Sequence, residues 1–298
     1  MDRMVGKEID RRAIYSALVT PYDEKGEVSE KLLRALVRFE LDKKVEGFYC
    51  CGSSGEGLLL SNDERKKIVE VVIDEVAGQV PVIVHVGSLS TQCAVELAVH
   101  AEKTGACAVS AIPPIYYHYT QAEINRYYTD IADAVGIGVI VYNIPQFTGI
   151  SFTTENPLLQ NKRIIGIKHT NMNLYELERI GRQCPDKLLI NGFDEIYHSA
   201  LAAGATATIG TTVNCLSPLF HSIRDAFCRG DNAAAHAMQM RLNDVIQAMV
   251  STSVFPAAKY AMELLGVQAG CCRRPFAPLT DGQKKIVRSA MDGVADLL

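Results

Sequence analysis

Apolar residues in this chain fall into short β-branched runs separated by longer stretches with helical spacing. The runs read AIYSALVTPY (13–22), VEGFYCCG (45–52), VPVIVHVG (80–87), ACAVSAIPP (106–114), GIGVIVYNIP (136–145), IIGIKHT (164–170), LLINGFDE (188–195) and ATATIGTT (205–212). They are nearly continuous in apolar residues, the pattern of parallel strands covered on both faces. Helical patterns lie between them. SNDERKKIVEVVIDEVAG (61–78) opens with Ser61 and Glu64 at capping-box spacing, and TQCAVELAVHAEKTG (91–105) closes on a glycine.

Strands alternating with helices predict a parallel sheet, and eight such units predict an α/β fold, the (β/α)8 TIM barrel. A doubly wound open sheet is the rival. It would favour a glycine fingerprint after the first strand, where TPYDEKGE has none. Beyond Thr212 the strands stop and the chain reads as helices, so we expect residues 1–220 to form the barrel core. Residues 221–298 would supply its last helix and a C-terminal helical extension, in one domain overall.

With 298 residues, 48% hydrophobic and 21% charged, the composition suits a globular protein with a large core. A net charge of −4 without a long Lys/Arg block argues against nucleic-acid or membrane partners and for small molecules. The start, MDRMVGKEIDRR, is too charged for a secretory leader, and no run approaches the ~18 apolar residues of a spanning helix. A cytoplasmic location is expected. The nine cysteines contain no C-x-x-C spacing. The vicinal pairs Cys50-Cys51 and Cys271-Cys272 read as reduced, buried small hydrophobes.

The stretch GSSGEG (52–57) carries Gly52, Gly55 and Gly57 in an order that fits neither dinucleotide nor P-loop fingerprints. Its backbone amides, with the Ser53 and Ser54 hydroxyls, suit a smaller anion; a plain strand-to-helix turn is the alternative.

In a barrel the site forms at the C-terminal ends of the strands. One of the eight runs ends in a lysine, Lys168. If Ile165 and Ile167 face the helices, Gly166 and Lys168 point inward, with Thr170 following at the mouth. Loss of hydration favours the free amine that attacks carbonyls; a lysine held in a buried ion pair is the other reading. On the adjacent strand, Tyr142 stands where a phenol can shuttle protons. Strand seven delivers Asp194 and Glu195 to the mouth and strand eight Thr211 and Thr212. These suit substrate hydroxyls, or in Asp194's case a helix cap. Asp194 and His198 have i, i+4 spacing but lack a third metal ligand, so no metal is expected.

Six motifs together, TPYDEKGEVS, GSSGEG, PPIYYHYT, YNIP, GIKHT and NGFDE, make the chain resemble the family of pyruvate-dependent aldolases that includes dihydrodipicolinate synthase and N-acetylneuraminate lyase. The resemblance spans nearly the whole chain. It implies Schiff-base chemistry at Lys168, proton transfer by Tyr142, carboxylate binding at Ser53 and Ser54, and no cofactor. Ser54 would also join the proton relay. Tyr116 would reach across a subunit contact into a neighbour's site, in a homotetramer.

Within the family, Phe147 stands where synthases carry an arginine for a second carboxylate. NGFDE resembles the lyase signature instead. That likeness implies that Gly192, Asp194, Glu195 and Thr211 hold the polyhydroxy tail of sialic acid, which is cleaved reversibly to pyruvate and N-acetylmannosamine. Val213 departs from an aromatic usual in lyases. An aldolase or dehydratase for another 2-oxo-3-deoxy sugar acid is the alternative, followed by dihydrodipicolinate synthase.

Overall fold

The computed structural model describes residues 8–298; the first seven residues of the charged start discussed above lie outside the described residues. The eight strands are β1 (Ile14–Ala17), β2 (Gly47–Cys50), β3 (Val82–His85), β4 (Ala108–Ala111), β5 (Gly138–Asn143), β6 (Ile164–His169), β7 (Leu188–Asn191) and β8 (Ala207–Gly210). Each falls within one of the runs read from the sequence. All neighbours pair in parallel, and β1 pairs β8 to close the barrel.

The helices are α1 (Glu30–Asp42), α2 (Asn62–Val76), α3 (Thr91–Thr104), α4 (Gln121–Ala134), α5 (Pro145–Thr148), α6 (Leu174–Gln183), α7 (Tyr197–Ala202), α8 (Val213–Cys228), α9 (Asn232–Thr252), α10 (Val254–Leu264) and α11 (Asp281–Asp292). The Ser61/Glu64 capping box starts α2, and Gly105, at φ 111°, ends α3. Residue 220, expected to end the barrel core, lies inside α8. Helices α9, α10 and α11 follow as the C-terminal extension. No described helix is long and apolar enough to cross a membrane.

Alternation along the strands divides the buried residues into two sets. Ile14, Phe48, Val84, Val109, Val141 and Ile167 face outward and pack under the helices. Tyr15, Tyr49, Ile83, Ile140, Tyr142, Ile190 and Ile209 fill the barrel.

One expectation fails: Ile165 does not face the helices but packs against the interior set. Val139 pairs with Ile164 and Ile140 with Gly166, so Ile165 is the extra residue of a β-bulge. Because the bulge precedes Gly166, alternation resumes above it and Lys168 still points inward. The cysteines are free, as expected, with Cys50 and Cys51 buried. Cys271, by contrast, is exposed and Cys272 only half-buried, because their segment crosses the surface between α10 and α11.

Candidate active site

Strand register puts Tyr142 of β5 directly beside Lys168 of β6. Lys168 is 4% exposed, with its Nζ 3.7 Å from the centroid of the Tyr142 ring and 5.3 Å from that of Tyr49. Burial alone would push the Tyr142 phenol up. The Lys168 ammonium charge, with hydrogen bonding from Lys168, Thr170 and Ser53, outweighs burial and holds the phenol below the ordinary tyrosine range. The phenol is thereby suited to accept a proton, with the Lys168 side chain directly beside it.

The loop 51–57 lies above this pair. Its left-handed residues are Cys51 (φ 58°) and Glu56 (φ 55°) rather than its glycines. Glu56 N–H donates to the Ser53 carbonyl and Gly57 N–H to that of Gly52, closing the loop on itself. The amides of Ser53, Ser54 and Gly55 donate to no acceptor among the described residues. Three consecutive free amides beside two hydroxyls are a donor set that suits a small anion. The serines divide the work: Ser53 adjoins the Tyr142 phenol, whereas Ser54, buried, shares a 2.7 Å hydrogen bond with Thr211. The sequence reading had given Ser54 the relay, so the structure moves that contact to Ser53.

Beyond β7, residues Asp194–Ile196 form a short 3-10 turn. Asp194 Oδ2 accepts from the Thr212 amide and hydroxyl, both at 2.8 Å. It thereby supports the start of α8, the helix-capping alternative realised on a different helix from its own. Its Oδ1 is buried and unpartnered. Burial pushes the carboxyl up to about 6; the Thr212 hydrogen bonds and, further down, Lys168 pull against it, and Glu195 reinforces it. Glu195 is half-buried beside it.

Two glycines are dictated here by contact. A Cβ on Gly192 would sit 1.9 Å from Thr170 Oγ1, and one on Gly210 would sit 1.9 Å from Asp194 Oδ1. Thr170 is buried with its hydroxyl lacking a well-formed bond, facing the same phenol.

Two site-lining residues escaped the sequence reading. Tyr49 of β2 stands edge-on to Tyr142 at 6.4 Å and donates to Ser110 at 3.2 Å. His85 of β3 stands edge-on to Tyr142 at 6.2 Å, and its Nε2 accepts from the Ile112 amide. Burial, then Arg65 and Lys168, hold the His85 imidazole well below its usual range and thus neutral. The alternation rule that found Lys168 would have found both.

Tyr116, on the loop after β4, is 87% exposed and is not brought to Lys168 within this chain. It holds φ 84°, a costly conformation for a bulky residue, and packs edge-on against Tyr117 at 5.1 Å. Phe147 is exposed on α5. His198 turns to Asn232 while Asp194 turns to Thr212, and among the described residues no cluster of His, Cys, Asp and Glu is arranged to hold a metal ion.

Fold and site together define a (β/α)8 barrel with a lysine-centred site at its C-terminal mouth. The chain belongs to the dihydrodipicolinate synthetase family, whose profile matches residues 10–293. It is 38% identical to an N-acetylneuraminate lyase of Lactiplantibacillus plantarum over 272 residues, covering 90% of this chain and 93% of the relative. A Clostridium difficile protein solved in complex with mannosamine aligns with TM-score 0.92 at 35% identity, covering 97% of this chain and 100% of that one. A catalytic-lysine mutant of Ruminococcus gnavus sialic acid aldolase aligns with TM-score 0.92 at 28% identity, over 98% of each chain.

Proposed function

We propose that this protein is a Schiff-base aldolase that reversibly cleaves N-acetylneuraminate to pyruvate and N-acetylmannosamine. The observation that carries the reading is the contact between Lys168 and a phenol of lowered pKa, next to a loop with three unpaired amides. The names of the relatives above support the choice of substrate.

The substrate carboxylate docks on Ser53, Ser54 and the free amides, bringing the C2 ketone to Lys168. The Lys168 ammonium passes a proton to the Tyr142 phenolate, the free amine adds to the ketone, and the carbinolamine hydroxyl leaves as water with a proton returned by Tyr142, giving the iminium and restoring the phenolate. Tyr142 takes the C4 hydroxyl proton, with the Ser53 and Ser54 hydroxyls at hand. The C3–C4 bond breaks, and its electrons pass to the iminium nitrogen, giving an enamine. N-acetylmannosamine departs as the aldehyde. Protonation at C3 and return of water release pyruvate and restore the lysine. The iminium is the electron sink, so the reaction calls for no metal or organic cofactor. Gly192, Asp194, Glu195, Thr170 and Thr211 line the side available to the polyhydroxy tail, with Asp194 Oδ1 free to accept a hydroxyl.

The reading includes a homotetramer in which Tyr116 enters a neighbour's site, supported by its exposure and that of Tyr117 and Leu89 on nearby loops. It also includes one domain, supported by packing of α8 on both β1 and α9, and a cytoplasmic location, consistent with the free cysteines.

Borohydride reduction in the presence of N-acetylneuraminate, followed by peptide mass mapping, tests the reaction. A pyruvyl adduct on Lys168 is expected. Labelling from pyruvate but not from N-acetylneuraminate would retain the imine and remove the substrate; labelling from neither would remove the mechanism.

A further inference from the structure

The loop that cradles the anion is held from behind by the C-terminal helices. Glu56, two residues beyond Ser54, turns its side chain away from the site into the wall of the protein. Its Oε1 accepts from Lys259 Nζ of α10 at 2.7 Å, and its Oε2 accepts from the Arg273 amide at 2.7 Å. Lys259 is 1% exposed and places all three ammonium protons: on Glu56, on the Thr20 carbonyl at 2.6 Å and on the Cys271 carbonyl at 2.9 Å. Thr20 closes the circuit by donating its hydroxyl to the Gly55 carbonyl at 2.7 Å. The Arg273 side chain adds bonds to the Leu59 carbonyl and to Glu64 at the start of α2.

A buried ion pair is poor value as a stabiliser, since apolar residues of similar volume often serve better. What it supplies is direction. Bonds inside the loop give it a shape, and that shape is tied to the body of the protein at Gly55 and Glu56 on one side and through the Ser54–Thr211 bond on the other, in a segment with two residues in left-handed conformations. We propose that Glu56 and Lys259 are positioning residues for the 2-oxo acid, fixing Ser53, Ser54 and their amides at the distance from Lys168 that carboxylate docking requires. The C-terminal extension is then part of the substrate-binding apparatus. The inference rests on the aldolase reading, in which that loop holds the carboxylate.

Borohydride trapping of pyruvate on Lys168 across pyruvate concentrations, with thermal melting alongside, tests it in the wild type, Lys259→Met and Thr20→Val. Lys259→Met is expected to raise the half-saturating pyruvate concentration about tenfold or more while the trapping rate at saturation falls less than about threefold. A merely structural pair would lower the melting temperature and leave half-saturation of the folded protein unchanged. Thr20→Val removes one tether without stranding a buried charge and is expected to shift half-saturation in the same direction, by less. Should Lys259→Met fail to fold, Thr20→Val decides: an unchanged half-saturation there, or in both folded variants, overturns the proposal. Wild-type protein that traps no pyruvate would overturn the aldolase reading itself, and this inference with it.

Discussion

The Nζ of Lys168 lies 3.7 Å from the centroid of the Tyr142 ring, so the charge on the amine and the proton on the phenol are mutually dependent. An ammonium favours the phenolate beside it. In the proposed mechanism the iminium keeps that positive charge, so the phenolate stays available to take a proton from substrate.

Replacing Lys168 by Met is therefore expected to do two things. Cleavage should fall by at least about 10³-fold, because the covalent route is gone. In addition, the Tyr142 phenol loses its principal lowering influence and should titrate above the ordinary value of about 10, followed by phenolate absorbance. Activity loss with an unmoved phenol titration would break the proposed coupling.

Tyr142→Phe should lower cleavage by about 10²–10⁴-fold while leaving borohydride trapping of pyruvate measurable. In the wild type, the rate should rise with pH through an ionisation below the usual phenol range, since the deprotonated form is the acceptor. The variant should lack that limb. A wild-type pH profile of the same shape as that of Tyr142→Phe would remove Tyr142 as the base.

The two serines separate by their partners. Ser53→Ala removes a hydrogen bond that lowers the Tyr142 phenol, so the rising limb of the pH profile should move to higher pH. Ser54→Ala breaks the bond to Thr211 and should leave that limb in place. Both should weaken pyruvate binding. Identical pH profiles for the two variants would contradict the division seen here.

The barrel was legible because parallel strands buried on both faces leave uninterrupted apolar runs, and alternation then places Lys168 and Tyr142 side by side. A bulge carries no such signature: Ile165 is as apolar as its neighbours, and only pairing shows that it is the extra residue. The same limit explains why the sequence reading gave the relay to Ser54 although Ser53 is the serine beside the phenol, since adjacent residues in a turn obey no fixed period. Tyr49 and His85 were within reach of the alternation rule. Glu56 and Lys259 were not, being 203 residues apart with nothing local to mark either as buried.

Asp194 is pushed up to about 6 in the fold, above the ordinary aspartate value of about 3.9. Between those values the unfolded chain gives up its proton first, so the contribution of Asp194 to stability is greatest below pH 4 and falls as pH rises through 6. Asp194→Asn should remove that decline and, at pH 7, raise stability by about 1–3 kcal/mol, measured by urea unfolding at several pH values. The same variant should impair N-acetylneuraminate cleavage far more than pyruvate trapping. Equal impairment of both would detach Asp194 from the sugar tail.

A second carboxyl acts over a wider window, away from the site. Glu40 of α1 is buried with both oxygens unpartnered, and burial pushes it up to about 8, with the Ser16 hydroxyl pulling the other way. Its protonated form fits the fold, so its contribution is intact at acid pH and is lost as pH rises from about 4.3 through 8. Glu40→Gln should match the wild type at about pH 4 and below and exceed it by about 2–5 kcal/mol at pH 9. Activity at pH 7 should change little, because the outward face of the barrel lies between Glu40 and Lys168. Parallel stability curves for the two proteins would show that Glu40 ionises freely.

Tyr116 gives the test of assembly. It is 87% exposed, held at φ 84°, and does not meet Lys168 of its own chain, so any part it plays in proton transfer has to be played in another copy. Tyr116→Phe and Lys168→Met should each be impaired alone. In an equimolar, exchanged mixture, a Tyr116→Phe subunit keeps its own Lys168 and receives an intact Tyr116 from its Lys168→Met neighbour. If the tyrosines are swapped reciprocally between two subunits, about a quarter of all sites regain both groups. The recovered activity should approach a quarter of the wild type and should be absent when the proteins are mixed without exchange. A Tyr116→Phe variant of full activity would remove the tyrosine from the mechanism. An impaired variant with no recovery after exchange, in oligomers shown by mass to contain both chains, would mean that Tyr116 acts within its own subunit, and the loop after β4 would then have to refold to bring it there.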